Sequence, residues 1–276
     1  MKLQEFSWQA SDGNKVYAQE WAPETAPKAA IALVHGLGEH TGRYAHVAKA
    51  FTDAGYVIYG CDLHGHGKTE GIRGYSPSYE VMMQDIDHEL GELAKRYPGI
   101  PRFLYGHSMG GNLVLYYTLL RKPQIAGVIT TAPAVGTGPI SSVKLLMAKI
   151  FSRLAPRMQM DNGLDLANLS RDTEVAHKYQ TDPLVHAKIT ARLGYDMISS
   201  GPWLLEHANE FALPLLLMQG SADHLVSPEK SREFASRVPG DVTFKMWDGF
   251  YHELHNEPEK AEVIQTMLNW LDQHIK

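Results

Sequence analysis

A single cysteine, Cys61, stands among 276 residues. That excludes an intrachain disulfide and any cysteine-rich zinc site. No stretch approaches the roughly 18 consecutive apolar residues of a membrane-spanning helix. The opening MKLQEFSWQA lacks the apolar run of about 7–15 residues that marks a secretory signal, so a cytoplasmic location is expected. Positive charge is not in excess. Lys and Arg number 26 against 31 Asp and Glu, a net charge of −5. That balance supplies no general attraction to nucleic acid, and no nucleic-acid partner is expected. Internal repeats and low-complexity tracts are absent too. What remains is an ordinary globular balance, 44% hydrophobic and 21% charged, enough to bury a sizeable core.

Residues 2–21 read as a hairpin. Leu3, Phe6 and Trp8 lie on one extended segment, Ser11-Asp12-Gly13-Asn14 makes the turn, and alternation resumes at Val16. Past the polar connection Pro23–Lys28 the pattern changes. Continuous apolar runs occupy Ala29–Val34, Tyr56–Cys61, Arg102–Tyr105, Ile125–Thr130, Leu213–Gln219 and Val242–Trp247. Helical spacing fills Tyr44–Ala54, Pro77–Tyr97, Leu113–Leu120, Pro228–Val238 and Pro258–Ile275 between and after them. Such alternation predicts an α/β fold, a mostly parallel central sheet flanked by helices on both faces. Residues 134–205 break the rhythm. They show no clear strand and several helical patterns, including Ser141–Leu154. We expect a helical cap (134–205) inserted after the sixth strand into a core of residues 1–133 and 206–276. Ligands of such folds bind outside the carboxyl ends of the strands.

The sharpest motif is Gly106-His107-Ser108-Met109-Gly110, a G-x-S-x-G between a predicted strand and a predicted helix. There a serine sits on a strained turn, and bulk at either flank would meet neighbouring backbone. A hydroxyl is a weak nucleophile until a base takes its proton, and a carboxylate must hold that base in the right tautomer. With this motif the chain order is Ser, then Asp or Glu, then His. Asp223 follows the fifth apolar run and His252 the sixth, so both belong at strand carboxyl ends beside Ser108. Asp248, His255 and His107 are the competitors. Asp248 suits a turn, His255 needs a longer loop, and His107 points elsewhere on an elbow. The tetrahedral intermediate needs two backbone donors, expected at Met109 and, in His35-Gly36-Leu37-Gly38, at Leu37. His64 and His66 alone are too few ligands for a closed zinc site, so no metal is expected. No cofactor is needed.

With these motifs the chain resembles the monoacylglycerol lipases and lysophospholipases of the α/β-hydrolase superfamily. The resemblance is carried by His35–Tyr44, Gly65–Gly71, Gly106–Gly111, Leu216–Asp223 and Tyr251–His255, with Tyr179–Leu184 in the insertion. It implies a cap forming a mostly apolar acyl tunnel, and Glu39, Arg43 and Tyr179 lining the polar end where a glycerol head sits. Glu39 and Arg43 are equally suited to an ion pair packing the loop onto the next helix. Two positions depart from the family: Thr69 stands where serine is frequent, and Leu37 where alanine is. The implied reaction cleaves lipid carboxylic esters, foremost monoacylglycerols, through an acyl-enzyme on Ser108. A broad carboxylesterase or lysophospholipase is the alternative. A non-catalytic ligand-binding relative is the remote one.

Lys149, Arg153 and Arg157 recur every four residues, as do Leu146, Ile150 and Leu154. A basic amphipathic helix in an acidic chain fits peripheral contact with a membrane surface. It equally fits a helix whose apolar face covers the site while its charges face water.

Overall fold

The computed structural model describes residues 1–136 and 142–275. The amino-terminal hairpin is β1 (Lys2–Gln9) and β2 (Lys15–Ala22), paired in antiparallel register from Lys2 opposite Ala22 to Gln9 opposite Lys15. Asp12 accepts the Asn14 amide and Gly13 takes a positive φ, which closes the turn. Then come β3 (Ala29–Val34), a 3-10 turn (Thr41–Tyr44), α1 (Ala45–Asp53), β4 (Tyr56–Cys61), α2 (Tyr79–Arg96), β5 (Arg102–His107), α3 (Met109–Arg121) and β6 (Gly127–Thr131). After the insertion the sheet resumes with β9 (Leu215–Gly220), α7 (Pro228–Arg237), β10 (Val242–Trp247) and α8 (Lys260–His274). The sheet order is β1-β2-β4-β3-β5-β6-β9-β10. β2 joins β4 antiparallel, and every later neighbour is parallel.

Side-chain alternation explains why the central runs are apolar throughout. On β3, Ala30, Ala32 and Val34 face a core shared with α2, α3 and α7. Ala29, Ile31 and Leu33 face the opposite core, shared with α1 and α8. A strand buried on both faces has no polar side to alternate with. Each fully buried Ile, Leu or Phe here contributes about 1.5–3 kcal/mol of burial.

The insertion holds α4 (Ser142–Leu154), β7 (Gln159–Asp161), α5 (Thr173–Thr181), β8 (Lys188–Thr190) and α6 (Ala191–His207). Ser141, the expected start of α4, lies outside the described residues. One expectation is corrected. The segment does contain strand: β7 and β8 pair antiparallel as a two-stranded ribbon. Three residues each are too few for a period-two signal. A second correction concerns the basic stripe. Pro156 has no N–H to continue α4 and restricts Ala155 before it, so the helix ends at Leu154. Arg157 therefore lies beyond the helix, with its guanidinium 5.6 Å from the Tyr75 ring centre. Among the described residues no helix is long and apolar enough to cross a membrane.

Candidate active site

Ser108 joins β5 to α3 with φ 55° and ψ −116°, a conformation that costs a non-glycine residue about 1–3 kcal/mol. The surroundings hold it there. Its amide donates to the Thr131 carbonyl at 3.0 Å, and its carbonyl accepts from Asn112 and Ala134. The flanking glycines have a measurable cause. A Cβ on Gly106 would sit 2.3 Å from the Gly110 carbonyl oxygen, and one on Gly110 would sit 2.0 Å from that of Val34. Met109 opens α3, so its N–H is among the first-turn donors without an intrahelical acceptor.

Asp223 and His252 follow β9 and β10, as their positions in the sequence predict. His252 Nδ1 donates to Asp223 Oδ2 at 2.8 Å, and both residues are buried. The other lone pairs of Asp223 are occupied. Gln219 Nε2 donates to Oδ2 at 2.8 Å, and the Leu225 and Val226 amides donate to Oδ1 at 2.8 and 3.1 Å. Burial pushes the Asp223 carboxyl up. The charge and hydrogen bond of His252, with the two amides, outweigh burial and hold it below the usual range. Burial likewise lowers His252, but Asp223, then Glu253 and Glu39, raise it above the ordinary imidazole value. Such a pairing fixes the tautomer, leaving Nε2 free to act on Ser108.

The competitors lie elsewhere. Asp248 is exposed and accepts from the Ser221 hydroxyl at 3.1 Å. His107 bonds the Thr131 carbonyl and hydroxyl through Nδ1, and burial with the nearby His252 charge lowers it to about 4. His255 is fully buried, stacked 4.8 Å from the Tyr44 ring. His64 lies between Asp85 and Asp12, at 2.7 and 3.2 Å.

Ser108 and His252 share a cavity of about 370 Å³ with Leu37, Leu164, Met197 and Ile198. Its remaining walls are mainly apolar or glycine, and its described lining includes no carboxylate. A narrower space of about 20 Å³ continues from Ser108 and His252 toward Glu39, Tyr179 and Glu253. The loop beside it is pinned at successive peptides. His35 Nδ1 meets the Gly36 carbonyl at 2.8 Å, Glu39 accepts the Gly36 amide at 2.7 Å, and the Tyr179 hydroxyl donates to the Leu37 carbonyl at 3.3 Å.

Glu39 and Arg43 form a buried ion pair, Nη1 to Oε2 at 2.6 Å, which is the loop-packing arrangement. Burial would push the Glu39 carboxyl up, yet Arg43, His107, His35 and the Tyr44 hydroxyl together outweigh it and hold it at about 2. Glu253, which sequence reasoning did not single out, completes the group. It takes both Nη atoms of Arg43 at 2.8 Å each. Tyr179 packs its ring 4.7 Å from the same guanidinium. Thr69 loses nothing against serine, because only its hydroxyl is used, donating to the Asp62 carbonyl and accepting from Tyr17.

Comparison with known proteins places the chain in a family. The family model described as serine aminopeptidase, S33, matches residues 25–259. An uncharacterized abhydrolase domain-containing protein of Dictyostelium discoideum is 37% identical over 96% of this chain, which spans only 28% of that protein. The monoacylglycerol lipase of Mycolicibacterium smegmatis is 34% identical, with 98% of each chain covered. The crystal structure of Paleococcus ferrophilus monoacylglycerol lipase superposes with a TM-score of 0.86 at 33% identity, covering 99% of this chain and 100% of that one. The chain thus belongs to the serine aminopeptidase, S33 family of α/β-hydrolases, as a monoacylglycerol lipase-like serine hydrolase.

Proposed function

We propose that the protein hydrolyses carboxylic esters of lipids, foremost monoacylglycerols, to glycerol and fatty acid. Ser108 is the nucleophile, His252 its general base, and Asp223 the carboxylate that orients the imidazole. Ser108 Oγ attacks the ester carbonyl as His252 Nε2 takes its proton. The Leu37 and Met109 amides stabilise the oxyanion, each worth about 3 kcal/mol. His252 returns the proton to the leaving alcohol, and water then cleaves the acyl-enzyme by the same route. The observation that carries this reading is the apolar cavity ending at Ser108 and His252. An acyl chain matches such walls. A free α-amine, which a peptidase acting at the amino terminus must hold, would need an unpaired carboxylate, and the two beside the narrow end, Glu39 and Glu253, are both taken by Arg43.

In this reading residues 134–205 are the cap over core residues 1–133 and 206–276. Glu39, Arg43 and Tyr179 shape the polar end from behind the loop that carries Leu37. The cap also supplies the surface contact. Leu146 and Leu154 of α4 are 56% and 81% exposed, with Val143, Ile150 and Phe151 also open to solvent beside Lys149 and Arg153. That outward apolar face with basic neighbours matches a bilayer or micelle surface.

The test is a hydrolysis panel of monoacylglycerols of graded chain length beside di- and triacylglycerols, lysophosphatidylcholine and short-chain esters. The highest kcat/KM is expected on a monoacylglycerol. Higher values on lysophosphatidylcholine or on short esters would move the assignment to the lysophospholipase or carboxylesterase reading.

A further inference from the structure

Glu253 and Arg43 are 210 positions apart in the chain, and they meet in a two-pronged ion pair at the edge of the site. The Arg43 and Glu253 side chains are 10% and 3% exposed. Each end of the pair is tied to a different part of the machinery. Glu253 directly follows His252 in the chain. Its amide donates to the Leu169 carbonyl at 2.7 Å, and Asn256 Nδ2 donates to its Oε2 at 2.7 Å. Arg43 Nη1 also reaches Glu39, whose Oε1 takes the Gly36 amide and the Tyr44 hydroxyl, both at 2.7 Å. Gly36 is joined by one peptide bond to Leu37. A guanidinium fork matched to two carboxylate oxygens fixes direction as well as distance, which a single point charge does not.

We propose that Glu253, gripped by Arg43, is a positioning residue. It locks the loop bearing the base to the loop bearing the Leu37 amide, so both keep one register on Ser108. The proposal rests on the triad and oxyanion assignments above. Its charge acts in the same place. The ionisable groups around His252 are Asp223 and His224 from the loop after β9, Glu253 and His255 from its own loop, Glu39 from the loop after β3, His107 from the elbow and Tyr179 from α5, with Arg43 bound to Glu39 and Glu253. Removing the Glu253 charge withdraws one anion and leaves Arg43 less neutralised. Both changes disfavour the imidazolium, so His252 would stay in its base form to lower pH.

The experiment compares Glu253→Gln and Arg43→Lys with the parent in the full chain, on a monoacylglycerol and on a p-nitrophenyl ester, across pH. Glu253→Gln keeps the size and an acceptor. Arg43→Lys keeps the charge and loses the fork, and it serves if the glutamine variant does not fold. We expect kcat to fall about tenfold to a hundredfold in both, with KM changed less than about threefold. The acid limb of kcat/KM should move to lower pH in Glu253→Gln. A parental kcat in the folded variants would overturn the proposal. So would a lower kcat in Glu253→Gln with an unmoved limb, since mere structural damage does that. Ser108→Ala run alongside separates the two failures. Turnover surviving there removes the hydrolase reading itself, whereas an inert Ser108→Ala with a fully active Glu253→Gln removes only the lock.

Discussion

At the scale of single residues, the triad carboxylate is held from every side. Asp223 spends four contacts on Gln219, two amides and His252. A carboxylate so held does not drift, and it keeps His252 basic. That has a kinetic consequence with a definite sign. His252 must be neutral to accept the Ser108 proton, and its folded-state pKa is raised. Activity is therefore lost as pH falls through a limb lying above the ordinary imidazole value of about 6.5. A pH profile of kcat/KM on a non-ionising ester checks this. A limb below that value would mean that desolvation, not Asp223, dominates. Ser108, Asp223 and His252 were legible in the sequence because each follows a recognisable apolar run and the chain order is diagnostic. Glu253 was not, since no linear pattern links it to Arg43. Its one signal, a carboxylate beside a candidate base, is common on any surface.

Among the elements, the elbow between β5 and α3 is the most constrained. Two peptides approach where the glycines stand, so the motif records a steric fact. Gly110→Ala would put a Cβ 2.0 Å from a backbone carbonyl of β3. We expect a loss of about 3 kcal/mol or more, since backbone on both sides must shift. Urea denaturation measures it, and a midpoint within error of the parent would show that the elbow has room. The apolar runs of the parallel strands were readable for a similar reason, burial on both faces. The β7–β8 ribbon was hidden by its length. The end of α4 was written in Pro156, but the four-residue recurrence of basic residues carried the expected stripe past it to Arg157.

On the scale of the whole molecule, the insertion divides into two halves of different character. The half from Leu164 to Lys188 is tied to the loops of the site. Tyr179 and His186 hold the Leu37 and Gly38 carbonyls, His40 pairs with Asp182, and Arg171 pairs with the buried Glu257. The α4 half instead packs on α6 and turns large apolar side chains outward. One half thus braces the loops of the site, and the other carries the exposed apolar face proposed above to meet a lipid surface. Co-sedimentation with anionic vesicles tests the second role. Lys149→Glu with Arg153→Glu is expected to bind severalfold less than the parent, and increasingly so at low salt. Equal binding would remove the membrane contact. Fold class and layer order were visible in the sequence because they follow from periodicity. The two-sided character of the insertion was not, because it depends on which partners each helix finds.

The central claim is that Ser108 carries the acyl group of a monoacylglycerol. Glycerol release from that ester, followed for the parent and for a folded Ser108→Ala, tests it most directly. The account predicts release by the parent and a fall of about three orders of magnitude or more in the variant. Comparable release by both proteins, or none by the parent under conditions where it stays folded, would contradict it.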